Sequence, residues 1–181
     1  PARVVDTRSS VEAATIDLLM NGAGLKASGG VTSILTAAEN ESEGTATAAK
    51  MPGLVSSDDP VYVTSDELLY DGNTGLALYT GHARLWQGET TVQADSIELD
   101  ERTADLKASG GARSTFILEE INPETDELEA ATTIASAHDM HYEEEFRRTT
   151  YTDTAHVNGP YGDLTAAKVE MYMGEKRGSM N

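Results

Sequence analysis

Tyr79-Thr80-Gly81-His82-Ala83-Arg84 returns 29 positions later as Ala108-Ser109-Gly110-Gly111-Ala112-Arg113. The echo continues on both sides. At the same offset Val63 falls on Val92, Asp66 on Asp95, Leu68 on Ile97 and Asp71 on Asp100. A fixed period that keeps apolar positions in register is the mark of stacked copies of one small unit. The echo itself reads as a tight turn between two short strands, repeated once per unit. Its inward face carries small residues such as Ala83 and Ala112.

Two longer registers extend the pattern. At an offset of 81, Val11–Leu35 lies on Val92–Phe116 with 12 of 25 positions identical. At an offset of 72, Leu68, Tyr70, Tyr79, Ala83 and Leu85 fall on Met140, Tyr142, Tyr151, Ala155 and Val157. Val92, Ala94, Ile97 and Leu99 then fall on Leu164, Ala166, Val169 and Met171. One domain covers residues 1–181, with repeat cycles over about 5–36, 60–117 and 132–174. The third copy has Asp153 where the others have Gly81 and Gly110, so the regularity is expected to fail there.

Short strands dominate the pattern. Val61–Val63, Leu68–Tyr70, Leu76–Thr80, Ala83–Trp86, Thr90–Ala94, Ile97–Leu99 and Leu106–Ser109 are separated by turn signals such as Asp71-Gly72-Asn73-Thr74-Gly75, Gln87-Gly88-Glu89 and Asp100-Glu101-Arg102-Thr103. Segments of this length and spacing predict an all-β fold. Val11–Met20 has the best helical periodicity, but its match to Val92–Glu101 predicts a strand. The small-residue step Ala94-Asp95-Ser96 shifts the inward parity from Val92 and Ala94 to Ile97 and Leu99, which suggests a bend or bulge.

Thr36–Asp59 and Leu118–Ala131 break the repeat, both just after the same repeat position. They are expected to be acidic, solvated loops at one edge of the stack.

The composition narrows the function classes. A formal net charge of −18, with only 13 Lys and Arg scattered along 181 residues, disfavours nucleic acid and anionic membrane surfaces. Cysteine is absent, which excludes disulfides and thiolate metal sites without fixing a compartment. No apolar run approaches the ~18 residues of a membrane-spanning helix. The chain begins Pro-Ala-Arg, with no leader or anchor in view. A removed signal and a cytosolic protein both fit that start.

No nucleophile elbow, phosphate loop or dinucleotide fingerprint occurs. His138 and His141 have a His-x-x-His spacing, but on a strand they point to opposite faces and read as surface residues. Acidic residues are plentiful, yet no pair is marked as a glycosidase dyad, and the single Trp86 reads as a cap on a strand end. An inward face of period two suits both a closed core, the commoner case for a β-stack, and an open groove.

The ordered text Val63-Thr64-Ser65-Asp66-Glu67-Leu68-Leu69-Tyr70-Asp71, Tyr79-Thr80-Gly81-His82-Ala83-Arg84-Leu85-Trp86-Gln87-Gly88 and Val92-Gln93-Ala94-Asp95-Ser96-Ile97-Glu98-Leu99 resembles the OstA-like (LptA) family. The likeness is good over 61–116, weaker over 133–173, and reaches 11–35 only through the internal repeat. It implies an elongated, twisted, open β-jellyroll of stacked short antiparallel strands. It also implies periplasmic lipopolysaccharide binding and transport between the inner and outer membranes, without catalysis, cofactor or metal. The implied partners are lipopolysaccharide and other lipopolysaccharide-transport proteins, joined head to tail by edge strands, or further copies of this chain.

On that resemblance the groove would hold lipid A acyl chains, each buried CH₂ contributing about 0.8 kcal/mol. The candidate lining is Val63, Leu68, Tyr70, Tyr79, Leu85, Val92, Ile97, Leu99, Leu106, Met140, Tyr151, Val157, Leu164 and Val169. The alternatives are a structural or adhesive β-repeat with a closed core and no lipid ligand, and a carbohydrate-acting β-repeat enzyme.

Overall fold

The computed structural model describes residues 1–20, 23–36, 50–55, 59–121, 125, 128–160 and 162–173. They form one antiparallel sheet of 11 strands, with no helix among the described residues. The strands are β1 (Ala2–Val5), β2 (Ser9–Ala13), β3 (Thr15–Leu19), β4 (Gly24–Leu35), β5 (Val61–Asp71), β6 (Leu76–Gln87), β7 (Thr90–Asp100), β8 (Asp105–Ile121), β9 (Leu128–Glu143), β10 (Arg148–Gly159) and β11 (Gly162–Tyr172). Their spatial order is β1-β2-β4-β5-β6-β7-β8-β9-β10-β11, and β3 also pairs with β4. Each central strand therefore neighbours the next one in sequence, as short turns between antiparallel strands require.

The short strands expected from the sequence merge in pairs. Val61–Val63 and Leu68–Tyr70 are two halves of β5, and Leu76–Thr80 and Ala83–Trp86 two halves of β6. The six-residue echo is thus no turn between strands. It is a corner inside one strand. Gly81 and His82 both have positive φ, 78° and 49°, and the pairing register shifts on both sides of them. The same two-residue corner recurs at Gly29-Gly30 in β4, Gly110-Gly111 in β8 and Asp153-Thr154 in β10, all at positive φ.

The corner explains the parity of the inward face. In β6 the buried residues are Ala77, Tyr79, Ala83, Leu85 and Gln87, in step across the corner. In β5 they are Val61, Val63 and Ser65, then Leu68, and in β7 Val92 and Ala94, then Ile97 and Leu99. Strands β4, β6, β8 and β10 thus take one more residue through the bend than their neighbours, which switch parity instead. The Asp95-Ser96 irregularity expected from sequence lies on this line of register shifts. β2 and β3 are the two halves of a strand interrupted at Ala14, one pairing with each half of β4 along the edge opposite β5.

The line of corners divides the sheet into two arms whose inward faces close on each other. Tyr151, on one arm of β10, has its hydroxyl 2.6 Å from Ser114 Oγ, on the other arm of β8. Tyr79 of β6 faces Ser33 of β4 in the same relation, four strands earlier. The apolar side chains between the arms form a single core cluster running from Val11 to Val169.

Three further expectations change. Asp153 does not break the regularity: with φ 64° it adopts the corner that glycine adopts elsewhere. The residue across from it in the repeat is His138, where the other copies carry Asp66 and Asp95. Leu118–Ala131 is in large part a hairpin extension, with Leu118 paired to Ala131 and Ile121 to Leu128. Within Thr36–Asp59, Pro52, Leu54 and Val55 are buried on the inner face rather than solvated. Trp86 is on the outer face, its ring stacked on Tyr62 at 5.5 Å and capped by Arg84 at 5.2 Å.

The two corner glycines of β8 separate strain from collision. A Cβ at Gly110 would lie 2.7 Å from Asp95 Cβ, while one at Gly111 would meet nothing within 4 Å. Gly111→Ala is expected to cost only the left-handed penalty, about 1–2 kcal/mol. Gly110→Ala adds the displacement of Asp95 and is expected to exceed it by about 1 kcal/mol or more. Urea midpoints of the two variants measure the difference, and equal midpoints would remove the collision from the account.

Candidate functional site

The inward face opens into a cavity of about 550 Å³ at the β1–β4 end of the sheet. Its apolar walls include Val4, Val11, Leu25, Leu68, Ala77, Tyr79 and Leu99. Period-two alternation, kept in step through the β4 and β6 corners and switched at the β5 and β7 bends, puts these side chains on one face. Leu18, Leu19 and Met20 stand at the mouth, with Met20 90% exposed. The cavity lies within the ~300–1,000 Å³ range of small-ligand sites.

Polar groups also border the cavity: Asp6, Arg8, Lys50, Tyr70 and Glu101. The Tyr70 hydroxyl donates to Glu101 Oε2 at 3.0 Å. Burial, and next the adjacent Glu101, push the Tyr70 hydroxyl up to about 12. Burial likewise raises Glu101 above the ordinary carboxylate range, with Tyr70 and Arg8 opposing. Deeper in, burial pushes Tyr79 up to about 12. These tyrosines stay neutral across the physiological range, so they offer an apolar ring and one hydrogen-bonding tip. An apolar interior beside a mixed-charge border suits an amphiphile.

Of the fourteen residues singled out from sequence, the structure brings Leu68, Tyr70, Tyr79 and Leu99 together at the cavity. Val63, Leu85, Val92, Ile97, Leu106, Met140, Tyr151 and Val169 are buried farther along the inner face, packed against one another. Val157 is half-buried, and Leu164, on the terminal strand β11, is 51% exposed. Sequence reasoning missed Val4, Val11, Leu25, Met51 and Pro52. The first three carry the parity signal through the 81-residue register. Met51 and Pro52 lie in an insertion, where no repeat could point to them.

The outer face carries different chemistry. A depression between β8 and β11 is lined by Lys107, Glu143, Arg148, Lys168 and Glu170, whose charges pair. Arg148 meets Glu143 at 2.5 Å, Lys168 meets Glu170 at 2.6 Å and Lys107 meets Glu98 at 3.5 Å. His138 and His141 do not converge: His138 sits at the exposed corner with Asp139 and Asp153, ligand atoms within 4.8 Å of one another.

The comparisons with known proteins fit this architecture. Residues 62–177 match the family described as LptA/(LptD N-terminal domain) LPS transport protein. The chain belongs to that LptA/LptD N-terminal family. The family match begins within β5 and takes in the strands after it through β11. A protein of Rhizobium meliloti (strain 1021), described as uncharacterized, is 37% identical over 68 residues, which are 37% of this chain and 34% of that protein. The chain thus spans about a third of the length of that curated relative. Among solved structures, LptH of Pseudomonas aeruginosa aligns with a TM-score of 0.50 and 17% identity. The alignment covers 68% of this chain and 90% of LptH. LptH is described as the LptA-homologous periplasmic component of the lipopolysaccharide transport device. At that identity the likeness concerns the fold, which this family member shares.

The corner line carries a pair whose titration is testable. His82 Nδ1 lies 3.0 Å from Asp66 Oδ2, with the imidazole 92% exposed. The hydrogen bond that the His82 N–H donates to Asp66, and then the Asp66 charge, raise the His82 pKa above 6.5. The contact therefore favours the folded state fully below the unfolded histidine pKa, and the contribution fades as pH rises through the elevated folded value. Asp66→Asn is expected to bring the His82 pKa down toward 6.5, followed by the imidazole proton shifts in an NMR titration. An unchanged midpoint would mean that Asp66 does not set it.

Proposed function

We propose that this protein is a periplasmic lipopolysaccharide carrier that holds lipid A acyl chains against its inner face and acts without catalysis or cofactor. The observation that carries the reading is the cavity itself. Leu68, Tyr79 and Leu99 line it, and they belong to the same apolar cluster as the rest of the inner face. A chain entering there continues onto surface of the same chemistry. Each CH₂ it buries contributes about 0.8 kcal/mol, a term indifferent to the −18 net charge. The Arg8 guanidinium at the cavity is suited to an anionic headgroup left in water. Membership of an LPS transport family supports the same substrate class.

The ends of the sheet support a bridging role. Among the described residues β11 pairs only with β10, which leaves its other edge without a strand, and β1 leaves an edge at the other end. Exposed Tyr172 and Leu164 lie on β11, and Val5, Leu18 and Leu19 lie on β1 and β3. Free edges that lack protection invite pairing. Here they join this carrier head to tail with other transport proteins, or with further copies of itself, extending the apolar path between the membranes.

A photo-reactive phenylalanine analogue at Leu68 or Leu99 is expected to cross-link to lipopolysaccharide, and one at outward-facing Arg84 is not. Absence of cross-links at both inner positions would favour the structural β-repeat with a closed core. Prolines at Thr165 and Glu170 of β11 are expected to abolish concentration-dependent assembly in sedimentation runs, with lipid cross-linking at Leu99 retained. Unchanged assembly would take β11 out of the joint.

A further inference from the structure

The insertion between β4 and β5 was expected to be solvated, yet residues 50–55 cross the inner face. The Lys50 N–H donates to the Glu101 carbonyl at 2.8 Å, at the start of the β7–β8 turn. The Gly53 N–H donates to Glu144 Oε2 at 2.7 Å, at the β9–β10 turn. The same Glu144 oxygen accepts from the hydroxyl of the inward-facing Tyr142 at 2.7 Å. Between and beyond these anchors, Met51 and Pro52 wall the cavity, and Leu54 and Val55 are 8% and 7% exposed within the core cluster. A Cβ at Gly53 would lie 2.8 Å from both Glu144 Oε2 and the Tyr142 hydroxyl, so the close approach needs glycine.

Among the described residues this segment pairs with no strand, unlike the strands around it. Its backbone is held to the sheet by the Lys50 and Gly53 donors. Its apolar side chains Met51, Leu54 and Val55 pack against the core cluster, as an acyl chain would. Both acceptors stand at the turn-side rim, so release costs the sheet none of its own ladder bonds.

We propose that residues 50–55 form a strap that occupies part of the acyl-chain path in the empty protein and is displaced when lipid enters. The proposal rests on the lipid-carrier reading. The strap shields Leu99, Tyr79 and their neighbours from water, and from partners other than lipid, until a chain replaces it. Apparent affinity is then reduced by the fraction of time the strap is closed.

Because Leu35 and Val61 are direct partners, a short turn can replace the insertion without disturbing β4 or β5. The test compares the parent chain, a variant with 37–59 replaced by Gly-Asn-Gly, and the double variant Leu54→Asp/Val55→Asp. Far-ultraviolet circular dichroism checks that each is folded. The probe is the fluorescent fatty acid 11-(dansylamino)undecanoic acid. Both variants are expected to bind it about tenfold more tightly, the factor for a competent state open about one-tenth of the time. In the parent, hydrogen exchange of the 50–55 amides is expected to rise when the probe is added. The double variant keeps the full chain, so the result stands even where the shortened chain fails to fold. Equal or weaker binding by the folded variants, or slower exchange at 50–55 with probe, overturns the strap alone. No binding by parent or variants, together with no lipopolysaccharide cross-link at Leu99, overturns the carrier reading, and the strap with it.

Discussion

The structure depends on a backbone constraint: every second strand from β4 to β10 passes through two successive residues in the left-handed region. For L-residues that region costs about 1–2 kcal/mol per residue, so the sequence concentrates glycine there. Asp153 and Thr154 accept the strain, and His82 accepts it where an open position leaves room for a side chain. The extra residue at each corner lets the strand bend while its inward parity survives. Neighbouring strands bend at the same place by switching parity. Without this alternation, one arm of each strand would present its polar residues to the interior.

Once the arms face each other, the rest follows from packing. Side chains from the two arms meet, and the buried hydroxyl of Tyr151 finds its partner Ser114 on the opposite arm. The interior is apolar along its length and opens at the β1–β4 end, where the flanking strands are short and interrupted at Ala14. The site is therefore a consequence of how the stack begins, and its chemistry is that of the core. Its charged border comes from the turn ends and the N-terminal segment, which supply Glu101, Asp6 and Arg8. The same turn-side rim supplies Glu101 and Glu144, which hold the strap at 50–55.

Much of this was legible in the repeat. The 29-residue offset carries two strands, and the inward lists for β6 and β8 follow from parity alone. That pattern marks Leu68, Tyr70, Tyr79 and Leu99, which the fold brings to one cavity. The corner was misread as a turn, because Gly-His and Gly-Gly are turn signals in any local reading. Whether a chain reverses or bends at such a pair depends on what its neighbours do there. Asp66 and Asp95, packed against Gly81 and Gly110, are each fifteen residues away in sequence.

The sequence by itself determined the all-β class, the repeat, the inward face and, through its ordered motifs, the family. These rest on period-two alternation and on glycine placement, which are local properties of the chain. Only the tertiary structure decided that pairs of short strands are single bent ones and that the cavity lies at one end. It alone put Met51 and Pro52 at that cavity and buried Leu54 and Val55 nearby. Those features come from contacts between residues far apart in the chain. Gly53 meets a carboxylate 91 positions away, and no local period records that distance.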